Sequence, residues 1–331
     1  MKALIKRLTE ACGPSGYENG LRQIIINELD GYYSGYKVDP LGNLVVIIQG
    51  SLDIKEKKKV MVAAHMDEIG IMVTHVDEKG FIRFTQVGVL FPAYLPAARV
   101  KFANGLIGVV GMEPGTKLDQ PGFDKFFIDV GLSKEENPIQ IGDVGCFIGD
   151  FVDMGKRVVA KSMDDRISVA IAIAAIKKLR QPKNDLYFVF TCQEEVGTRG
   201  AGTAAFGIEP DLAFAIDVTM TGDTPNNKII DVHLGNGPAI KIKDFWMTAD
   251  QKIVKWMESR AIQDKIPYQR EVLIAGSTDA RAIQVTRSGI PSGCISIPCR
   301  YVHSTVEMVD MGDVENAVNL IVGLLKDEIK V

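Results

Sequence analysis

Short apolar runs alternate with helical patterns along most of this 331-residue chain, and this alternation constrains the fold most strongly. In the helical patterns, apolar residues recur three and four positions apart, as they do in helices that lie on a sheet. Strands that alternate with such helices are typical of an α/β domain with crossover connections. The predicted strands are residues 44–48, 60–64, 186–190, 212–216 and 294–298, and the predicted helices are residues 17–29, 165–179, 248–263 and 313–326.

A different pattern occupies the middle of the chain, where residues 70–155 contain 13 of the 32 glycines. Short alternating runs occur there at residues 81–87, 99–102 and 106–110. Such runs are typical of a small β barrel or sandwich. We therefore predict a discontinuous α/β domain with three α/β/α layers and a mostly parallel sheet, residues 1–68 and 159–331. A β-rich, barrel-like domain, residues 69–158, is inserted into it.

Charge and hydropathy exclude two classes of partner. The chain has 38 Lys and Arg against 42 Asp and Glu, a formal net charge of -4, so it lacks the broad positive field of nucleic-acid-binding proteins. The longest apolar stretch, residues 167–176, is interrupted by Ser168 and is shorter than the about 18 residues of a membrane-spanning helix. We expect neither nucleic acid nor a membrane as a partner.

Cysteine usage and the N-terminal segment point to the cytoplasm. The five cysteines are odd in number, irregularly spaced and without a CxxC pair: Cys12, Cys146, Cys192, Cys294 and Cys299. This pattern predicts reduced thiols. The N-terminal segment lacks the apolar run of a secretory signal peptide, so we expect a cytoplasmic protein.

Two of the four histidines and several carboxylates follow predicted strands. His65 comes directly after residues 60–64, and His303 lies five residues beyond residues 294–298. In open α/β sheets ligands bind beyond the carboxyl ends of the strands, so we expect these side chains to converge. The carboxylates at such positions, or at the start of a following helix, are Asp67, Glu68, Asp164, Asp165, Glu194, Glu195 and Asp217.

Each of these residues has a structural explanation when it is taken alone. An aspartate can cap a helix, a core histidine can bond to a carbonyl group, and paired glutamates usually face solvent. Together, however, several carboxylates at one sheet edge would repel each other and be poorly solvated unless a cation neutralised them. The sequence therefore indicates a divalent metal site.

The ligand types narrow the choice of metal. Imidazoles and carboxylates without a thiolate favour Zn, Co or Mn. Two ions fit better than one, because two divalent cations, three carboxylates and one bridging hydroxide sum to zero charge. A metal pair lowers the pKa of a bridging water toward about 7 and polarises a carbonyl group. Of Glu194 and Glu195, one can bind metal while the other transfers protons, and the sequence pattern leaves open which does which.

Six sequence blocks carry a family resemblance: HMDEIG (65–70), SMDDR (162–166), QEEVGTRGA (193–201), IDVTMTGDTP (216–225), STDA (277–280) and RYVHSTVEMV (300–309). In this order they resemble the glutamyl-aminopeptidase and tetrahedral-aminopeptidase family of two-metal exopeptidases, and the resemblance covers essentially the whole chain. It implies a metal-dependent aminopeptidase that removes N-terminal residues from free peptides by attack of a bridging metal hydroxide. It also implies two divalent ions per subunit, with Zn or Co first and Mn as an alternative.

The resemblance implies a role for each candidate residue. The implied metal ligands are His65 and Asp217 for one ion, Glu195 and His303 for the other, and Asp164 as the bridge. Glu194 would be the general base and acid. Asp67 would orient the His65 imidazole, as carboxylates behind metal-bound histidines do. The inserted domain would mediate dimerisation within a homo-oligomer, which in this family is often a tetrahedral dodecamer.

Three residues depart from the usual family pattern. Ser277 replaces a common glycine, Arg281 replaces a small residue, and Thr198 replaces a frequent leucine. None of the three is an implied ligand or base, so they bear on the choice of substrate. Arg281 could attract an acidic side chain or could pair with a neighbouring carboxylate, and the sequence leaves both open.

Two rival functions are weighed against the aminopeptidase. A glycoside hydrolase could use two of the carboxylates, and some family relatives carry cellulase or endoglucanase labels, but that chemistry leaves His65 and His303 unexplained. Dinucleotide binding would use GAGTAA at residues 200–205, which matches a relaxed GxGxxA pattern. That segment does not directly follow its strand, so the match is weak.

Overall fold

A computed structural model of the chain describes residues 1–53, 57–117, 122–227 and 230–331. The α-helices in these residues are α1 (Lys2–Glu10), α2 (Asn19–Leu29), α3 (Met163–Lys178), α4 (Arg199–Ile208), α5 (Gln251–Gln263), α6 (Asp279–Gln284) and α7 (Met311–Lys326). The strands up to the middle of the chain are β1 (Gly35–Val38), β2 (Leu44–Ile48), β3 (Lys59–His65), β4 (Gly70–Val76), β5 (Ile82–Val87), β6 (Arg99–Phe102), β7 (Ile107–Met112), β8 (Phe126–Asp129) and β9 (Val144–Phe147). The later strands are β10 (Val152–Asp153), β11 (Arg157–Ala160), β12 (Asp185–Thr191), β13 (Leu212–Met220), β14 (Ala239–Lys243), β15 (Gln269–Val272), β16 (Ser292–Arg300) and β17 (Glu307–Asp310).

The strands from the two ends of the chain form one large sheet. Its order is β1-β2-β12-β3-β13-β16-β17-β11-β10, with β14 and β15 attached beside β16. The four central strands, β12, β3, β13 and β16, are parallel, and the strands that flank them are antiparallel. Thr191 pairs with His65, and Asp217 pairs with Ser296. The central strands therefore end at a common edge.

Helices cover both faces of this sheet. Along β3, Val60, Val62 and Ala64 belong to the apolar cluster that contains α3 and α7, whereas Met61 and Ala63 belong to the cluster that contains α4. Successive side chains of a strand point to opposite faces, so a strand that is covered on both sides needs a continuous apolar run. The predicted α/β/α layers are confirmed, and the parallel part of the sheet is its centre.

The longest apolar stretch, residues 167–176, lies in α3. Almost every residue of this helix is buried, because it packs on the sheet and also against α1, α2 and α7. None of the described helices combines the length and the apolar character that crossing a membrane requires. The stretch forms part of the core of the α/β domain.

A closed antiparallel barrel is built from the middle of the chain, in the order β4-β5-β8-β7-β6-β9. Its core is apolar and includes Ile71, Phe84, Val100 and Phe126. Gly70, at the entry to the barrel, lies so close to the neighbouring strand that a Cβ there would be 2.8 Å from the Gly145 carbonyl oxygen. The predicted barrel-like unit is therefore present. The hairpin β10–β11 pairs with β17 and so belongs to the large sheet.

All four predicted helices are present, and each begins two or three residues from its predicted start. For two of them a capping side chain sets the observed start. Helix α5 begins at Gln251 rather than residue 248, since the Asp250 side chain accepts hydrogen bonds from the backbone N–H groups of Lys252 and Ile253. Helix α7 begins at Met311 rather than residue 313, and Asp310 caps it by accepting from Gly312. An aspartate in this position satisfies N–H groups that have no partner within the helix.

The expectation of five reduced thiols is wrong. Cys12 and Cys146 form a disulfide, whereas Cys192, Cys294 and Cys299 are free and buried. The two bonded cysteines are 134 positions apart, and only the fold brings their Cα atoms to 5.8 Å. The bond joins the segment after α1 to strand β9 of the barrel. Cysteine spacing therefore gives no argument about the compartment.

Candidate metal centre

The candidate residues come from the ends of four different strands. His65 is the last residue of β3, and Asp217 lies in the second half of β13. Glu194 and Glu195 follow β12, and His303 follows β16. Because these strands are parallel neighbours, their carboxyl ends bring the side chains to one edge of the sheet. Asp164 reaches the same edge from the first turn of α3.

The Asp164 carboxylate lies between the two imidazoles. Its Oδ1 is 3.0 Å from His65 Nε2, and its Oδ2 is 3.2 Å from His303 Nε2. His303 Nε2 is also 3.4 Å from Glu195 Oε2, and His65 Nε2 is 4.0 Å from Asp217 Oδ1. One carboxylate thus faces both histidines, and each histidine has a further carboxylate beside it.

Asp67 lies behind His65, on the side away from Asp164. His65 Nδ1 is 3.1 Å from the Asp67 carbonyl oxygen and 3.4 Å from its Oδ1. The fully buried Asp67 carboxylate also accepts hydrogen bonds from Ser15 Oγ and from the backbone N–H groups of Glu194 and Glu195. One side chain therefore fixes both the ring of His65 and the loop that carries the two glutamates.

These donor atoms form two groups that could hold metal ions. His65, Asp164 and Glu195 form one group, and His65, Asp165 and Asp217 form the other. Glu195 Oε1 and His303 Nδ1 are buried without a hydrogen-bond partner among the described residues. Imidazole nitrogens and carboxylate oxygens at this spacing fit divalent ions such as Zn, Co or Mn. Asp165, which the sequence placed only beside Asp164, enters the second group.

The electrostatics of the cluster show why a cation suits it. Burial, together with neighbouring carboxylates, raises the pKa of Glu195 to about 7 and raises the pKa of Asp217 well above its ordinary value. Although burial opposes it, hydrogen bonding to Asp164 raises the pKa of His65 well above its usual value. Buried carboxylates that repel each other are costly without a compensating positive charge.

Glu194 is placed as a proton carrier would be. It lines the same cleft as His65, Asp164 and Glu195, and its side chain accepts no hydrogen bond from the described residues. Burial, with added repulsion from Asp217 and other carboxylates, raises the pKa of Glu194 well above its ordinary value. A carboxyl group with a raised pKa can both accept and return a proton near neutral pH.

The cleft has a volume of about 420 Å³, and both parts of the chain line it. Val89 and Phe91 come from the barrel, and the Phe91 ring centroid is 6.0 Å from that of His303. Gly88 packs so closely that a Cβ there would be 3.0 Å from Glu195 Oε2. The three residues that depart from the family pattern, Thr198, Ser277 and Arg281, line the cleft as well.

Two further carboxylates support this site, and neither was predicted as a ligand or a catalytic residue. Glu307, in β17, accepts hydrogen bonds from the backbone N–H groups of Asp164 (2.9 Å) and His303 (2.7 Å). Its position in the RYVHSTVEMV block gave no reason to choose it. Glu68, predicted only as a strand-end carboxylate, is buried against Lys161, Ser162 and Arg166. It therefore braces the turn that precedes Asp164.

Other candidate features lie apart from this cluster. His75 is exposed in β4, and the side chain of His233 is 45% exposed. Residues 200–205 lie inside α4, separated from β12 by the loop that carries Glu194 and Glu195. The loop and the helical position do not favour a dinucleotide-binding turn.

Comparison with known proteins gives a consistent family. A family model described as M42 glutamyl aminopeptidase matches residues 42–320. A putative aminopeptidase of Acetivibrio thermocellus is 47% identical over 96% of both chains. A lysyl aminopeptidase of Pyrococcus furiosus is 35% identical over 98% of this chain and 96% of its own length.

A solved structure shows the same fold. The Pyrococcus horikoshii TET1 peptidase, described as able to assemble into a tetrahedron or a large octahedral shell, covers 99% of each chain with a TM-score of 0.88 and 34% identity. The fold, the order of the sequence blocks and these matches agree with one another. The chain therefore belongs to the M42 glutamyl aminopeptidase family of hydrolases.

Proposed function

We propose that this protein is a two-metal aminopeptidase that removes single residues from the N-termini of free peptides. His65 and Asp217 would hold one divalent ion, Glu195 and His303 the other, and Asp164 would bridge them. Zn or Co is the first choice and Mn the alternative, as expected for imidazole and carboxylate ligands. When bound, such an ion pair polarises the carbonyl oxygen of the scissile bond and activates water for attack.

The observation that carries this proposal is the position of Asp164. Its two oxygens face two different histidines, His65 at the end of β3 and His303 after β16, at 3.0 and 3.2 Å. A carboxylate that only capped α3 would turn back toward the backbone N–H groups of that helix. A carboxylate that presents one oxygen to each of two imidazoles is arranged to bridge a pair of cations.

The remaining steps belong to side chains of this chain. Glu194 would take the proton from the attacking water and return it to the leaving amine. Asp67 would keep Nδ1 of His65 engaged, so that Nε2 stays directed at the ligand cluster. Phe91 and Val89 would exclude bulk water from one side of the cleft, which strengthens charge interactions within it.

Substitution of Glu194 tests the assignment of the base. Glu194→Gln removes the proton acceptor and leaves the proposed ligands in place, so turnover of aminoacyl p-nitroanilides should fall about 10²- to 10⁴-fold. Metal analysis should still find two ions per subunit. The matched control is Glu315→Gln, which alters an exposed glutamate on α7 and should change neither quantity. Unchanged turnover in Glu194→Gln would refute the role.

The rival glycoside hydrolase is not favoured, since the two relatives compared above are named aminopeptidases and His65 and His303 have no role in that chemistry. A similar solved structure from Thermotoga maritima, 32% identical with a TM-score of 0.81, is nevertheless titled an endoglucanase. Chelation separates the two. Loss of peptidase activity in EDTA, with recovery on addition of Co²⁺ or Zn²⁺, supports the metallopeptidase. Release of sugar that EDTA does not inhibit supports the glycosidase.

We also propose that the two domains have different functions. The α/β domain, predicted as residues 1–68 and 159–331, would carry catalysis. The barrel domain, predicted as residues 69–158, would carry dimerisation within a homo-oligomer that extends to a tetrahedral dodecamer, and the β10–β11 hairpin, which pairs with β17, would go with the α/β domain. Support comes from the similar TET1 peptidase, whose description gives tetrahedral and octahedral assemblies. A native mass that is twelve times that of the 36.2 kDa chain would agree with this proposal.

A further inference from the structure

One part of the cleft lies outside the ligand cluster and is mostly apolar. Met220 at the end of β13, together with Leu273 and Ala275 after β15, provides its apolar surface. Trp246 and Arg281 complete this part of the lining. A peptide whose carbonyl group lies at the ligand cluster would have room here for the side chain of its first residue.

Among the described residues that line this part of the cleft, Arg281 is a positively charged side chain without a carboxylate partner. Its guanidinium carbon is 5.2 Å from the centroid of the Trp246 ring, and the side chain forms no ion pair with a carboxylate of the described residues. The other lysine or arginine in the lining is Lys241, which is fully buried and paired with Glu271. Lys241 is therefore neutralised, whereas Arg281 is available to a ligand.

The neighbouring acids accept hydrogen bonds from groups other than Arg281, and the second oxygen of each, Asp244 Oδ2 and Asp279 Oδ1, is buried without a partner among the described residues. Asp244 Oδ1 accepts hydrogen bonds from Ser277 Oγ (3.0 Å) and from the backbone N–H group of Trp246 (2.9 Å). Asp279, two residues before Arg281, accepts from Thr191 Oγ1. The sequence left two roles open for Arg281: binding an acidic side chain of a substrate or pairing with a carboxylate of the chain. The described residues show no such pairing.

We propose that Arg281 is a specificity-determining residue that selects peptides with an acidic N-terminal residue. The inference rests on the proposed aminopeptidase function. Trp246 holds the guanidinium group against its ring face, so that its N–H donors remain free for a carboxylate. The apolar wall suits the methylene groups of a glutamate side chain, and a charge-assisted bond to arginine suits its end.

Family membership does not decide this preference. The family is described by a glutamyl activity, yet a relative that is 35% identical is named for lysyl residues. The preferred N-terminal residue must therefore be inferred from the charged side chains that line the cleft of this chain.

The test compares Glu- and Gln-p-nitroanilide, which differ at the side-chain terminus in charge and hydrogen bonding but hardly in shape. The wild-type protein, loaded with Co²⁺ or Zn²⁺, should show a kcat/KM about ten- to a hundredfold higher for Glu than for Gln. Arg281→Gln should bring this ratio close to one, mainly through a higher KM for Glu. Arg281→Lys should restore part of the ratio. The ratio is internal to each variant, so a general loss of active protein cancels.

Arg287→Gln is the matched control. The Arg287 guanidinium also lies over an aromatic ring, Phe206 at 4.0 Å, but it is paired with Glu209 and lies outside this cleft. Its removal should leave the Glu:Gln ratio unchanged. A wild-type ratio near one, or a ratio that survives Arg281→Gln, overturns the inference while the aminopeptidase proposal stands.

The nitroanilide substrates also show which residue of a peptide carries the carboxylate that Arg281 binds, the first residue or one after the scissile bond. Aminoacyl nitroanilides have no residue after the scissile bond, so selectivity for Glu among them places the carboxylate on the first residue. Selectivity that appears only with peptides carrying a downstream acid contradicts the inference. If the metal-loaded protein cleaves no aminoacyl nitroanilide, the proposed function fails first and the inference fails with it.

Discussion

The α/β domain and the barrel differ in what they bury. The α/β domain buries many charged side chains, among them Asp67, Asp164, Asp217 and Lys241. In the described residues between 70 and 147, by contrast, no charged or polar side chain is buried, and the core is formed by residues such as Phe84 and Phe126. Buried charge is costly unless it is compensated, so it marks the candidate region for chemistry.

The two regions nevertheless meet at the candidate cleft. The barrel contributes Val89 and Phe91 to the wall and places Gly88 against Glu195. Through Cys146 it is also bonded to Cys12 of the α/β domain. Reactive groups thus come from one region, and both regions shape the space around them.

The largest effect expected from this comparison follows removal of the covalent link. Cys12→Ser should lower the free energy of unfolding by about 2–4 kcal/mol, because the disulfide restricts the unfolded chain over a long loop. The loss should be measured by denaturant unfolding without reductant. Dithiothreitol should lower wild-type stability to that of the variant and should leave the variant unaffected.

Two further variants control for loss of the side chain itself. Cys146→Ser should match Cys12→Ser, and the double variant should be no less stable than either single variant. If the intact mass under non-reducing conditions shows two additional hydrogens at this pair, the link does not exist in solution and the two regions are held by packing alone.

An ion pair in each region provides the second test. Arg300 donates to both oxygens of Asp223 (3.0 and 2.7 Å) in the α/β domain, whereas Arg83 and Glu113 form a more exposed pair in the barrel. Asp223→Asn should destabilise the protein by about 1.5–3 kcal/mol near neutral pH, since hydrogen bonds to charged groups are strong when sheltered. Glu113→Gln should change stability little, because exposed pairs are screened by water.

The pH dependence of stability should also show the effect of the Arg300–Asp223 pair. Although burial opposes it, hydrogen bonds from Arg300 hold the pKa of Asp223 well below its ordinary value. A depressed carboxyl pKa gives stability that is present above the unfolded-state value and is lost as the pH falls below it. Unfolding curves recorded between about pH 5 and pH 2 should therefore be flatter for Asp223→Asn than for wild type. If stability changes equally with pH in the two proteins, Arg300 does not lower the pKa of Asp223 in the folded state.

The smallest effect concerns the contact between the barrel and the cleft. Gly88 and Gly105 both have positive φ (78° and 90°), but a Cβ at Gly88 would meet Glu195 Oε2 and Ile69, whereas one at Gly105 would meet nothing within 4 Å. Gly88→Ala and Gly105→Ala share a backbone cost of about 1 kcal/mol. Gly88→Ala alone should lower kcat/KM, by about tenfold if Glu195 is displaced. Equal kinetics in the two variants would show that this barrel loop does not affect Glu195.

The strand ends show how far local sequence leads toward the site. The apolar runs before His65, Glu194 and Asp217 predict buried strands, and parallel strands bring their carboxyl ends to one edge. The structure brings together all five proposed ligands at that edge. Glu307 was not predicted because its two hydrogen bonds go to backbone groups, and no residue pattern records which backbone N–H group a distant carboxylate will reach.

By itself the sequence determined the layered α/β fold, the inserted barrel and the residues at the strand ends, because periodicity and chain order are local properties. Only the tertiary structure decided that Cys12 bonds Cys146, that Phe91 of the barrel lies beside His303, and that Arg281 stacks on Trp246. Each of those facts joins segments far apart in the chain. Their proximity results from the packing of whole elements and is not encoded by neighbouring residues.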